Sequence, residues 1–364
     1  MSSSKSLKAW GNPSDVAKQP GTEQAKYQNT DKTAGAVHRP ATSFHDWIGK
    51  EVDGSVKYPA EAGRYRLIVS EACPWAHRCH IVWKLKGLEG IVSLSLTGWK
   101  LENIKSEPPF DDYHGWDFVQ DGEGYYKEPS GRTHIESIYE TASPGYRADW
   151  ESRGMRPYFS VPVLFDELTN TIVSTESAEI IVMLNSAFDG LPGARTSVNL
   201  NSPEKRERQE AVNAIIYPGI NDGVYRCGFA RSQEAYENAY HAHWKAMDEV
   251  EDMLSKSRFL TGDTITLADV RLWTTLARYD TVYYAHFKTN RSHLCDMPNL
   301  YRFLRDFYRI EGVSETLNLE WIKKHYYWSQ RMVNPTGIWP LGMPSEEKEY
   351  WENIEGLVEE PLKL

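Results

Sequence analysis

The chain has 364 residues, a length that at roughly 100 to 200 residues per domain implies two or three compact units. Hydrophobic residues make up 40% and charged residues 25%, close to soluble globular averages, which excludes wholesale disorder and fibrous architectures. Against 51 Asp plus Glu stand 41 Lys plus Arg, a net charge of −10 that disfavours a nucleic-acid binder.

The apolar runs are a few residues each, far short of the roughly 20 that a spanning helix needs, so no membrane partner is expected. The first residues lack a secretory apolar stretch, and Asp15, Glu23 and Asp31 do not suit a mitochondrial transit peptide. Cysteines at 73, 79, 227 and 295 are too few and too scattered for a disulfide framework. The expectation is a cytoplasmic protein in a reducing compartment.

From residue 1 to about 64 the composition is polar and rich in Gly and Pro, with apolar residues gathering only at Phe44, Trp47 and Ile48, and reads as an extended arm. Tyr65 to Ser70 reads as a short buried strand. Cys73-Pro-Trp-Ala follows it, with Pro74 suited to the first turn of a helix that runs to a stop at Gly87. Gly90 to Leu96 reads as a second strand, completing a βαβ unit. A polar, aromatic insertion spans about 97–157, with a short helix expected near Ile135 to Tyr139. Ser160 to Phe165 and Thr171 to Ser174 read as a hairpin, and a helix begins at Glu176. The α/β unit, residues 65–190, therefore has the order βαβ-ββα.

Beyond Pro192 the pattern is helical. Ser202 is a candidate cap before Pro203, and apolar or aromatic positions at 236, 240, 243, 247, 250 and 254 keep one helix face buried. Thr266-Leu-Ala-Asp269 reads as a capping box. The expected organisation is an all-helical domain over 200–330 and a tail over 331–364.

Cys73 is the sharpest chemical feature, because it sits between a strand and a helix start, where unpaired amides and the helix dipole favour a thiolate. In such sites a cysteine pKa falls from about 8.5 toward roughly 3.5 to 7.5. Position 76 is Ala, so there is no Cys-x-x-Cys pair, and a mixed disulfide on Cys73 would need an external thiol to resolve it. Pro162 interrupts an apolar strand-like run, which fits either a cis bond that turns the Val161 backbone toward a peptide-like ligand or an edge strand. Glu176 and Ser177 at a helix start could cap it or hold the charged ends of an amino-acid-like ligand. His241 and His243 point to different helix faces, and the chain has no zinc, phosphate-loop or dinucleotide motif, so no metal or nucleotide cofactor is expected.

Taken together, Cys73-Pro-Trp-Ala-His-Arg78, Ser160-Val-Pro-Val-Leu164, Thr175-Glu-Ser-Ala-Glu-Ile-Ile181, Asp222-Gly-Val-Tyr-Arg-Cys-Gly-Phe-Ala230, His325-Tyr-Tyr and Asn334-Pro-Thr-Gly337 resemble the glutathionyl-hydroquinone reductases, the xi class of glutathione transferases. The resemblance covers about residues 40 to 345. It implies a thioredoxin-like domain holding glutathione, a helical domain covering an aromatic substrate, a homodimer, and reductive deglutathionylation through a mixed disulfide on Cys73. By the same resemblance Val161, Pro162, Glu176, Ser177 and Trp116 of Gly115-Trp-Asp-Phe118 would contact glutathione, with Trp99 a rival for the tryptophan. Tyr225 and Tyr326 would assist the chemistry, and Trp75, Tyr283 and Tyr327 would line the aromatic pocket.

The chain departs from the family pattern at Tyr158, where a basic residue is usual and where Arg153 or Arg156 could substitute, and at Val182, where Arg is usual. Two other functions compete with the reductase reading. One is a conjugating or ether-cleaving transferase, which normally relies on Ser or Tyr. The other is a non-catalytic protein binding aromatic ligands.

Overall fold

A computed structural model describes residues 42–101, 111–118, 128–341 and 350–351, together with the backbone of two paired short strands, Asn29–Thr30 and Val37–His38. The rest of the expected arm, insertion and tail lies outside the described residues.

A five-stranded sheet forms the first layer. Strand β1 (Tyr65–Val69) is buried along its whole length and leads into helix α1 (Pro74–Leu85), after which β2 (Ser93–Leu101) returns parallel to β1. A parallel return requires a crossover element, and α1 supplies it. Strand β3 (Trp116–Phe118) pairs antiparallel with the far end of β2. Helices α2 (Glu136–Ala142) and α3 (Tyr146–Ser152) follow, then β4 (Val163–Asp166), β5 (Thr171–Ser174) and α4 (Ser177–Ser186). Both β4 and β5 run antiparallel to their neighbours, giving the order β3-β2-β1-β4-β5. The βαβ-ββα order read from the sequence is present.

Two local expectations shift. The second strand starts at Ser93 rather than Gly90, because Ile91 and Val92 donate their amides back to the Leu88 carbonyl, each at 2.9 Å, and close the end of α1 as a turn. The insertion holds two helices rather than one, and it widens the sheet by β3.

The helical layer comprises α5 (Pro203–Ile216), α6 (Gly223–Gly228), α7 (Gln233–Lys256), α8 (Leu267–Leu276), α9 (Pro298–Tyr308) and α10 (Leu319–Lys324). Ser202 stands at the N-cap of α5 but makes no side-chain capping bond. The Thr266–Asp269 box forms, with Asp269 Oδ2 accepting from the Thr266 amide at 2.8 Å, although the Thr266 hydroxyl donates to the same carboxylate. Three π-helical turns interrupt the layer, at Tyr217–Asn221, Tyr279–Tyr283 and His325–Ser329.

The segment before β1 docks on the sheet edge: the Asp46 amide donates to the Val173 carbonyl at 2.8 Å, and Thr175 donates to Phe44 at 3.2 Å. His45 Nδ1 meets Glu179 Oε1 at 2.9 Å, while Ile48 and Tyr58 are buried. At the other end of the chain, the Tyr350 hydroxyl donates to Asp280 Oδ2 at 2.6 Å. Helix α1 packs against α4 on one side and α8 on the other, so the sheet and the helical layer meet around it.

Candidate active site

Cys73 occupies the N-cap of α1 with extended backbone (φ −85°, ψ 120°), the conformation that lets a chain leave a strand and enter a helix. Its side chain caps no amide of the helix and is 9% exposed; its sulfur lies 3.7 Å from the Val161 carbonyl oxygen. The positive end of a twelve-residue helix therefore faces this sulfur, which favours the anion. Burial does the opposite at the other cysteines, driving the Cys79 thiol well above its ordinary value, Cys227 up to about 12 and Cys295 upward. Cys79 and Cys227 are also buried, whereas Cys295 is exposed.

A buried cation fixes the turn that carries Cys73. Arg278, fully buried and just beyond α8, donates through Nε to the Ala72 carbonyl at 3.2 Å and through Nη2 to the Glu71 carbonyl at 2.6 Å. Its Nη1 donates to Thr274 O at 2.6 Å and meets His77 Nδ1 at 3.1 Å. The tautomer of His77 follows from its other side. The Thr316 hydroxyl donates to Val313 O at 2.7 Å, so at 2.8 Å it must accept from His77 Nε2, leaving Nδ1 to accept from Arg278. Burial, reinforced by the charge of Arg278, holds the His77 imidazole neutral. The helical layer thus grips the two carbonyls immediately before the cysteine through a guanidinium that neither Lys nor His could replace geometrically.

A cleft opens beside this turn, lined among others by Trp75, Tyr158, Val161, Pro162, Glu176 and Ser177. The Val161–Pro162 bond is cis, and the ladder begins only at Val163, so the Val161 backbone belongs to the cleft wall. Glu176 is the N-cap of α4, its Oε1 accepting from the Ala178 amide at 3.0 Å, and Ser177 opens the helix. The structure thus brings Trp75, Val161, Pro162, Glu176 and Ser177 into one cleft beside Cys73.

The helical layer adds a cluster of phenols. Tyr225 and Tyr326 hydroxyls lie 2.5 Å apart, and Tyr283 and Tyr326 hydroxyls 2.8 Å apart. Tyr225 reaches toward the cleft, its ring 6.2 Å from that of Trp75, while Tyr283 and Tyr326 are buried behind it. Burial pushes the Tyr326 hydroxyl well above its ordinary value and raises Tyr283 too, so both stay protonated and able to donate. Tyr283 closes one π-helical turn and Tyr326 lies in another, irregularities that aim side chains off the helical repeat.

Other sequence candidates stand apart. Trp116 is buried at the start of β3 and stacks on His325, ring centroids 4.6 Å apart, outside the lining of the Cys73 cleft. Trp99, on β2, packs edge-on against Trp328. Tyr327 packs on His286, ring centroids 4.6 Å apart, with burial lifting its hydroxyl to about 12. Neither Arg153 nor Arg156 lines the cleft to stand in for a base at Tyr158. Arg153 pairs with Asp149 at 2.5 Å, and buried Arg156 lies over the Tyr113 ring at 4.1 Å. Pairing with Asp149 of α3 sets the position of Arg153, and stacking on Tyr113 that of Arg156. Val182 packs against the core rather than into the cleft. Among the described residues no His, Cys, Asp and Glu cluster could hold a metal ion. Sequence reading missed Arg271, Arg78, Asn213 and Tyr217, which line the cleft, and Arg278 with His77, which lie under the cysteine turn.

A thioredoxin-like sheet, a cysteine at a helix N-cap position and a helical layer closing the cleft define a thiol transferase architecture. Residues 72–187 match the family model for the glutathione S-transferase N-terminal domain, and residues 233–308 match the model for its C-terminal domain. The glutathionyl-hydroquinone reductase YqjG of Escherichia coli K12 is 39% identical over 87% of this chain and 92% of its own. The glutathione-bound structure of that homolog aligns with a TM-score of 0.72, covering 82% and 92% of the two chains. The glutathionyl-hydroquinone reductase PcpF of Sphingobium chlorophenolicum is 38% identical over 78% of this chain and 84% of its own. The xi glutathione transferase of Phanerochaete chrysosporium, 37% identical, aligns with a TM-score of 0.75 over 85% and 98%. The chain belongs to the glutathione transferase family and, within it, to the xi class of glutathionyl-hydroquinone reductases.

Proposed function

We propose that this protein uses glutathione to reduce glutathionyl-hydroquinones and related glutathionylated aromatics. The observation that carries the reading is Cys73 at the N-terminus of α1, its sulfur 3.7 Å from the carbonyl of Val161, which lines the adjoining cleft together with Glu176 and Ser177. In the first step the Cys73 thiolate attacks the thioether sulfur of the substrate. A sulfur–sulfur bond forms, the carbon–sulfur bond breaks with its electron pair on the aryl carbon, and that carbon takes a proton. The hydroquinone leaves reduced, and the two sulfurs are oxidised to a mixed disulfide. A second glutathione thiolate then attacks the glutathionyl sulfur, releasing oxidised glutathione and the Cys73 thiolate. Glutathione is the one cosubstrate this scheme requires.

The protein groups divide by step. The Val161 backbone, at the cis proline Pro162, pairs with the peptide part of glutathione, Glu176 takes its ammonium, and Ser177 with the α4 N-terminus takes a carboxylate. Tyr225 and Tyr326, their hydroxyls linked at 2.5 Å, donate to a hydroquinone oxygen and ease protonation of the leaving ring. Trp75 forms the aromatic wall, with Tyr283 supporting it from behind Tyr225 and Tyr327 as an outer member, and Trp116 is assigned to glutathione by family resemblance alone. None of the four cysteines takes part in a disulfide, and a cytoplasmic location and a homodimer belong to the same proposal by family resemblance.

Glutathionyl-menadione is the test substrate. Wild type is expected to release free menadiol and oxidised glutathione with turnover, and Cys73→Ser to lose at least about a thousandfold in rate. Full turnover by Cys73→Ser would refute the reading.

A further inference from the structure

We propose that Arg271, on the helical layer, is a specificity-determining residue that binds the α-carboxylate at the γ-glutamyl end of glutathione. The inference rests on the glutathione reading above. Arg271 lies on α8 and is partly exposed between buried Val270 and Leu272. Asn221 Nδ2 donates to the Arg271 carbonyl at 2.9 Å and to Thr275 Oγ1 at 2.7 Å, which pins the backbone at this point. The side chain contributes to the same cleft wall system as Glu176, Ser177 and Ala178. Its guanidinium, with five N–H donors, forms no hydrogen bond or ion pair with any described residue.

The environment works against this charge. Burial first, and then the like charge of Arg78 in the same cleft, push the Arg271 guanidinium down to about 10, with Glu176 opposing. A guanidinium does not give up its proton in practice, so the site holds an unmatched cation at a cost, and an incoming anion would relieve it.

The opposite wall specifies which anion. Glu176 presents a carboxylate suited to an ammonium, while the first amides of the ten-residue α4 and the Ser177 hydroxyl suit a carboxylate. A ligand end carrying ammonium and carboxylate on one carbon satisfies both walls together. The γ-glutamyl end of glutathione has that pair, whereas its glycyl end has a carboxylate alone. Arg271 thereby makes the helical layer part of the tripeptide site rather than only the cover of the aromatic pocket.

The test is a ligand cycle on the full-length protein by calorimetry, using glutathione, its analogue with 4-aminobutanoyl in place of γ-glutamyl, and its glycinamide. Arg271→Gln is expected to weaken glutathione binding about tenfold or more, and wild type to lose a similar factor with the 4-aminobutanoyl analogue. The two losses must not add: the variant separates glutathione from that analogue by less than wild type does, the remainder coming from Ser177 and the α4 N-terminus, while still discriminating against the glycinamide as wild type does. Arg271→Lys should recover part of the loss. Additive losses for the 4-aminobutanoyl analogue, or non-additivity with the glycinamide instead, would overturn the assignment. Because the cycle reads binding alone, it stands or falls separately from turnover of glutathionyl-menadione, whose absence would instead sink the reductase reading.

Discussion

The sheet side and the helical side of the candidate site are built by different means. On the sheet side every candidate group is local: Cys73 stands at the N-cap position of the helix that follows β1, Val161 stands two residues before β4, and Glu176 caps the helix that follows β5. On the helical side Tyr225, Tyr283 and Tyr326 come from three distant segments and meet through ring packing and hydroxyl contacts of 2.5 and 2.8 Å. Backbone geometry creates the thiol site, and tertiary packing creates the phenol site. The first is a property of the strand–helix junctions, whereas the second depends on irregular π-helical turns that re-aim side chains. Arg278 joins them, since it sits in the helical layer yet binds the carbonyls of Glu71 and Ala72 ahead of the cysteine.

This division can be broken experimentally. The largest expected effect is that of Cys73→Ser, which abolishes both half-reactions and removes the mixed disulfide itself. Next, Arg278→Met takes a donor from three carbonyls, those of Glu71, Ala72 and Thr274, and from His77 Nδ1. It should cost about 3 kcal/mol of stability in chemical denaturation and slow alkylation of Cys73 by iodoacetamide. Wild-type stability in that variant would mean that the two layers are not joined there.

Tyr326→Phe should separate the half-reactions. Loss of the central hydroxyl is expected to reduce hydroquinone release by about a hundredfold, while a preformed mixed disulfide on Cys73 is still resolved by glutathione at the wild-type rate. Stopped-flow measurement of each step checks this; equal slowing of both would erase the distinction between the walls.

The smallest effect concerns pH. Burial pushes the Glu71 carboxyl up to about 7, against a hydrogen bond from Asn318 and the charge of Arg278. The folded state therefore binds this proton more tightly than the unfolded chain does. The resulting stabilisation is complete below about pH 4.5, declines as pH rises toward about 7, and is absent above that. Glu71→Gln, fixed in a neutral form, should flatten that part of the stability profile measured by urea unfolding. An unchanged profile would remove Glu71 from the account.

The same contrast governs what can be read from sequence. Cys73-Pro-Trp-Ala, Val161-Pro162 and Glu176-Ser177 are legible because strand ends and helix caps carry their own residue signatures. The turn at Ile91 and Val92 hides the true start of β2, since apolar residues suit both a strand and the close of a helix. Trp116 carries a family motif, but its partner His325 lies more than two hundred residues away, and no local pattern announces that stack. Arg278 and Arg271 are single basic residues in apolar helical runs. Their roles follow from which carbonyls, or which absence of partners among the described residues, the fold puts around them.

The most direct test of the central claim is the intact mass of wild-type protein after one turnover with glutathionyl-menadione in the absence of free glutathione. The account predicts one glutathionyl group on Cys73, removable by reductant, with an equal amount of menadiol released. Menadiol release that leaves Cys73 unmodified, or an aryl group attached to it, would contradict the mechanism.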